Sequence, residues 1–232
     1  MFNNSGMVAN ISKTETNVFM RKVYFWMFLA LVISGLASFW VLIIPWALEF
    51  IFSNTLVFYW LMIAEIWIVI YLSTRITKLS KISAITLFMA YSILTWLTLS
   101  VIFLVYAASA IFLSFFIASA TFLVMAIYWY TTDTDLTSFW NIMIMWLMWV
   151  ILASVINFFL KSSGLDFIIS WISVLVFTWL TAYDNQKIKL LWASLSEKSD
   201  DTTKIAIIWA LNLYLDFINL FLSLLRIFGR RN

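Results

Sequence analysis

Seven stretches of this chain run for about twenty residues each with almost no charge: Tyr24–Ile44, Thr55–Leu72, Ile82–Val105, Ile111–Tyr130, Phe139–Leu160, Phe167–Asp184 and Ile205–Leu225. About 20 apolar residues is the length an α-helix needs to cross the hydrocarbon of a bilayer. A helix also closes its backbone hydrogen bonds within one segment, which lipid demands. The expected fold is therefore all-α and integral to a membrane. The rest of the chain leaves little room for anything else. Of the 232 residues, 65% are hydrophobic and 11% charged, and mean hydropathy is +1.02. A soluble domain carries roughly 25% charged residues. No linker, repeat or low-complexity tract interrupts the pattern. A single transmembrane domain over residues 1–232 is expected, with residues 1–23 as a tail. The first 19 residues are polar and mixed, with no cleavable leader in evidence.

What is missing narrows the chemistry. The chain has no cysteine and no histidine. Disulfides, thiolate metal sites, Cys or His catalysis, haem ligation by His and an imidazole pH switch are excluded. Any proton sensing must rest on carboxylates. A net charge of +3 gives no reason to expect nucleic acid as a partner. The lipid bilayer is the partner the composition requires.

Lysine and arginine placement sets the expected orientation. With the N-terminus inside, the inner segments hold Lys13, Arg21, Lys22, Arg75, Lys78, Lys81, Lys187, Lys189, Lys198 and Lys204. The outer ones hold Lys161 and, for seven full spans, Arg226, Arg230 and Arg231. This favours a cytoplasmic N-terminus, with the basic C-terminal tail as the dissenting feature.

Ionisable residues inside spans are expensive unless paired or hydrated, so they mark candidate sites. Asp216 lies near the middle of the seventh stretch, with Asn219 three residues on and on the same helical face. Asp184 ends the sixth stretch, and Arg75 closes the second in Leu72-Ser73-Thr74-Arg75. With the N-terminus inside, the ends carrying Asp184 and Arg75 share the inner side, which permits an ion pair. Glu65 sits midway along the second stretch with no partner that the sequence can name. Two carboxyls close together in low dielectric cannot both ionise cheaply. Such a pair holds a proton at moderately acid pH and loses it near neutrality. Once ionised it attracts a hard cation such as Ca²⁺, which prefers oxygen ligands. A nearby arginine competes for the same carboxylate and makes a latch. The plainer alternative is that Asp216 is a buried group bonded to Asn219 or a hydroxyl, and that Asp184 and Arg75 are ordinary interfacial residues.

Several strings then read together. They are Arg21-Lys22-Val23-Tyr24-Phe25-Trp26-Met27, Tyr130-Thr131-Thr132-Asp133-Thr134-Asp135-Leu136 and Ala153-Ser154-Val155-Ile156-Asn157-Phe158-Phe159-Leu160. The most specific are Leu180-Thr181-Ala182-Tyr183-Asp184-Asn185-Gln186-Lys187-Ile188-Lys189 and Leu213-Tyr214-Leu215-Asp216-Phe217-Ile218-Asn219-Leu220-Phe221-Leu222. In this order they resemble the Bax inhibitor-1, or transmembrane Bax inhibitor motif, family, its bacterial branch in particular. The resemblance implies a seven-helix bundle with the last helix central, and a pH-sensitive calcium leak. It implies Asp184 and Asp216 as the sensor pair and as possible Ca²⁺ ligands, with Arg75 as the latch. Tyr183, Asn157, Asn219 and Glu65 are the supporting polar candidates. No resident cofactor is implied beyond possible Ca²⁺. A bacterial plasma membrane is the implied location.

The chain departs from that pattern in its glycines. Trp129, Trp140, Trp146, Trp149 and Trp179 stand where glycine is expected, Glu65 where proline is usual, and Asp133 where a basic residue is usual. Four glycines remain beside 14 tryptophans. Small residues let membrane helices pack closely, so either a divergent or a redesigned member is expected to keep the fold more surely than the transport. Two other function classes stand beside the leak. One is a non-conducting modulator that binds membrane proteases or cell-death proteins. The other is an intramembrane aspartyl protease, disfavoured because neither aspartate has glycine-rich surroundings. The chain is not expected to be an enzyme.

Overall fold

The computed structural model describes residues 13–44, 55–131, 136–194 and 202–229. Asp133, Arg230, Arg231, most of the loop before Thr202 and the first twelve residues lie outside them. Seven long helices follow one another: α1 (Lys13–Ile43), α2 (Thr55–Arg75), α3 (Lys81–Leu99), α4 (Ala108–Thr131), α5 (Trp140–Leu160), α6 (Ser163–Ser194) and α7 (Thr202–Phe228). All seven positions are long and apolar enough to cross a membrane.

Three boundaries differ from the sequence expectation, one of them the end of α6, which runs past Asp184 to Ser194. The first helix starts at Lys13, so residues 13–23 are not a tail. Phe19, Val23, Met27, Ala30, Ser34 and Ser38 recur every three or four positions and are all buried. That apolar stripe reaches into the polar segment and carries the helix with it. The third stretch is broken: α3 ends at Leu99, and a single helical turn, Ile102–Val105, follows. Hydroxyls there bond back to their own helix, Thr98 to the Thr95 carbonyl at 2.8 Å and Ser100 to that of Leu97 at 2.7 Å. Such back-bonding competes with the backbone ladder and bends or ends helices.

The chain divides into two compact units, Met1–Ile102 with Lys189–Tyr214, and Phe103–Ile188 with Leu215–Asn232. The sequence carries no mark of the division because two of its boundaries fall inside α6 and α7, where composition does not change.

In the first unit α3 packs against both α1 and α2. The α1 face toward this core is small: Ala30, Ser34 and Ser38, four residues apart and almost fully buried. Ser34 Oγ donates to the Ala30 carbonyl at 2.7 Å and lies 3.2 Å from the Ser92 carbonyl of α3. It also shares a 2.9 Å hydrogen bond with the Tyr214 hydroxyl. Tyr214 is fully buried, and its ring meets Phe88 and Tyr91 edge-on at 6.1 and 5.9 Å. Lys204 Nζ donates to the Leu79 carbonyl at 3.2 Å and ties the start of α7 to the α2–α3 turn.

In the second unit α4 shows the same spacing of small buried residues, Ala110, Ser114 and Ala118. Phe115 and Phe122 of α4 meet Phe217 of α7 edge-on at 5.4 and 6.0 Å. The α5–α6 turn is tight because Lys161 adopts a left-handed conformation (φ 50°, ψ 35°) and its N–H reaches the Asn157 carbonyl at 2.7 Å. Alanine and serine thus do the close packing that the missing glycines would have done.

Burial differs sharply between helices. In α7, 67% of the spanning window is buried; in α2 and in α5 it is 6%. The last helix is therefore the core element, as expected. The mid-span tryptophans of α5 also find their explanation. Trp146 and Trp149 are exposed on a helix whose spanning window is only 6% buried.

Candidate functional site

Asp184 and Asp216 both belong to the second unit. They are close enough for the charge of Asp184 to act on Asp216. Asp216 is 8% exposed, and its Oδ2 has no hydrogen-bond partner among the described residues. The pairing with Asn219 does not form. Asn219 Nδ2 donates instead to the Leu215 carbonyl of its own helix at 2.9 Å. A buried carboxyl oxygen without a donor is costly, and such an orphan asks for a proton, a water or a cation. Asp184, half-buried, stands on the last turns of α6.

The surroundings of Asp184 are built from the chain that joins α4 to α5. Leu136 is fully buried against Ala182 and Tyr183, with Met125, Trp140 and Trp179 around it. Its N–H donates to Gln186 Oε1 at 2.9 Å. Phe139 meets Trp179 edge-on at 5.5 Å. Trp140 stacks on Tyr183 with ring centres 4.5 Å apart and planes 21° from parallel. Lys187 Nζ lies 5.3 Å from the Trp140 ring centre and 5.6 Å from that of Tyr183. One turn along from Asp184, this ammonium acts electrostatically on that carboxyl. The two rings form a shelf that holds a cation beside Asp184.

The supporting candidates separate. Tyr183 is part of the shelf. Asn157 is not at the aspartates: its Oδ1 accepts from the Ser162 N–H at 3.0 Å and serves the α5–α6 turn. Glu65 belongs to the first unit and accepts from Thr98 Oγ1 at 2.8 Å. Arg75 also belongs to the first unit. It ends α2 with an exposed side chain, and its carbonyl accepts from the Leu79 N–H at 3.2 Å. Sequence reasoning missed Lys187, Trp140, Gln186 and Thr98. The first two carried a signal: an i, i+3 acid–base spacing, and an aromatic where glycine is expected.

Among the described residues no group of three or more His, Cys, Asp or Glu is gathered as a metal site. The aspartate pair supplies two carboxyls where Ca²⁺ takes roughly six to eight oxygens. This donor set falls short of a resident Ca²⁺ site.

A family profile described as "Inhibitor of apoptosis-promoting Bax1" matches residues 16–232. The chain belongs to the Bax inhibitor-1 family. Among bacterial relatives, the Inner membrane protein YbhL of Escherichia coli K12 is 43% identical over 214 residues, 92% of each chain. A protein of Borreliella burgdorferi is 41% identical over 215 residues, 93% of each chain. A membrane protein of Streptococcus pyogenes serotype M1 is 33% identical over 232 residues, 99% of this chain and all of its own length. The protein is accordingly a multi-pass membrane protein of the Bax inhibitor-1 family.

One consequence of the shelf is measurable. In a double-mutant cycle on the purified protein, Trp140→Leu and Lys187→Met are expected to show a coupling of about 1 kcal/mol in unfolding free energy, the worth of a partly desolvated cation–π contact. Strictly additive effects would mean that the ammonium gains nothing from the ring.

Proposed function

We propose that this protein is a pH-sensitive leak for Ca²⁺ or a similar cation, gated by protonation of Asp184 and Asp216. The observation that carries the reading is Asp216 itself: a buried carboxyl with a partnerless oxygen, within electrostatic reach of a second carboxyl. With one proton shared, the pair is tolerable in low dielectric. When that proton leaves, the excess negative charge must be met by a cation. Lys187 on its shelf neutralises part of it from within the same unit, and Arg75 keeps the latch role that the family resemblance implies. Ca²⁺ is the cargo. A site with few protein ligands binds weakly enough to release it. The proposed location is a bacterial plasma membrane with a cytoplasmic N-terminus; the name of the E. coli relative supports the first and the lysine and arginine distribution the second. On this reading the protein is not an enzyme.

The test is Ca²⁺ influx into proteoliposomes holding the purified protein, from about pH 6 to pH 8, for the parent and for Asp184→Asn. The bound for the effect is the loss of one titrating group in a coupled pair. Flux in the parent that varies with pH, and a flat profile in the variant, are expected. An unchanged pH profile in Asp184→Asn removes Asp184 as sensor. Liposomes that stay tight at every pH around folded protein overturn the leak in favour of a non-conducting modulator of other membrane proteins.

A further inference from the structure

Outside the aspartate pair, one more carboxyl stands in mid-span, and nothing in the proposed leak uses it. Glu65 lies in the middle of α2, half-buried, on a helix whose spanning window is 6% buried. Its Oε1 accepts from Thr98 Oγ1 at 2.8 Å. Thr98 Oγ1 also lies 2.8 Å from the Thr95 carbonyl and 3.4 Å from that of Leu94, so its single proton is shared. No cation lies near it along either of the two helices that pair here. From Leu56 to Thr74 on α2, and from Ile82 to Val105 on α3 and its continuation, Glu65 is the sole charged residue. The groups of α3 that face it are Thr98 and Tyr91, whose phenol is within electrostatic reach. An ionised carboxylate with half a hydroxyl donor at the edge of hydrocarbon is among the dearest arrangements a membrane protein can hold.

Glu65 nevertheless has hydroxyls on the helix beside it. The face of α3 beside it carries buried Tyr91, Ser92, Thr95 and Thr98. That hydroxyl stripe continues to Tyr214 and to Ser34 of α1, which are bonded to one another. Rotating hydroxyls of this kind are both donors and acceptors and can pass a proton.

We infer that Glu65, held by Thr98 and served by the hydroxyl stripe of α3, is a second, separately exchangeable proton-binding group in the first unit. Its ligand is the proton alone. Neither helix offers a second carboxylate with which a metal cation would be held. This site stands apart from the proposed leak and does not depend on it.

The experiment uses the full chain in liposomes and the lipid-soluble reagent N,N′-dicyclohexylcarbodiimide. The carboxylic acid adds across the reagent: its proton goes to one nitrogen and its oxygen bonds to the central carbon. An acyl shift to nitrogen then leaves a stable N-acylurea that carries the whole reagent mass. Peptide mass spectrometry reads the yield at Glu65 between about pH 5.5 and pH 9. The expected yield is high at acid pH and falls as pH rises. Thr98→Val removes the donor that favours the ionised form, so its midpoint is expected to lie higher by about 0.7 pH unit. Labelling of Glu65 is expected to persist when Asp184→Asn and Asp216→Asn are combined, whether or not the liposomes leak Ca²⁺. Absence of the Glu65 label at every pH, a yield indifferent to pH, or loss of the label with the aspartates would each overturn the inference.

Discussion

An Asp216→Leu variant is expected to be more stable than the parent by about 2 kcal/mol, and an Asp216→Asn variant to lose the pH dependence of Ca²⁺ flux. The two expectations have one source. Asp216 is 8% exposed, and its Oδ2 meets no donor among the described residues. The edge-on rings of Phe115, Phe122 and Phe217 line the contact between α4 and α7 next to it. Leucine keeps the branched outline at Cγ, adds apolar contact and removes the orphan. Replacing a buried ionisable group with a well-packed apolar one is often stabilising. Asparagine keeps the shape and cannot titrate, so it isolates the proton. Unfolding of the purified protein in graded denaturing detergent measures the first effect, and proteoliposome flux the second. A Leu variant that unfolds more easily would mean that Asp216 is satisfied by a group it needs. A stable variant with unaltered pH response would separate the strain at Asp216 from any gating.

The largest loss is expected at Tyr214. Tyr214→Ala should cost about 4 kcal/mol, and Tyr214→Phe about 1 kcal/mol. The ring is fully buried between Phe88 and Tyr91. Each edge-on pair contributes beyond the area it buries. Truncation leaves a cavity that α1 and α3 can close little, because Ala30, Ser34 and Ser38 already bring those helices close. The phenylalanine variant loses only the hydroxyl shared with Ser34 at 2.9 Å. Unfolding in the same detergent series decides the matter. A small effect of the alanine variant would show that the core of the first unit can collapse around the gap.

What the sequence made legible was governed by one-dimensional signals. Apolar runs set the seven spans because lipid imposes length and composition together. The start of α1 was legible too, in the spacing of Phe19, Val23 and Met27, but only to a reading that gives a stripe of apolar residues more weight than local polarity. The aspartates were found because charge in a span is rare. Arg75 was named from its place at a helix end, and its exposed side chain leaves the latch a matter for experiment. Other features need three dimensions. The partner of Glu65 lies on the next helix. Asn219 chose its own backbone over Asp216. Asn157 serves a turn that depends on the left-handed Lys161. The stack of Trp140 on Tyr183 joins residues far apart in the chain, and no periodicity announces it.

The near-complete exposure of α2 and α5 has a consequence for how such a sequence can drift. A side chain whose neighbours are acyl chains is surrounded by a liquid, which reshapes itself around any apolar outline. One whose neighbours are other helices is set in a solid. Glycine replaced by tryptophan is cheap at Trp149 and would be ruinous at Ala210 or Ala118, both fully buried. Among relatives, size should wander freely along α5 and stay fixed along α7. Part of the bulk that sets this chain apart, Trp146 and Trp149, stands on such an exposed rim, whereas Trp140 and Trp179 had to be fitted into the cluster around Leu136.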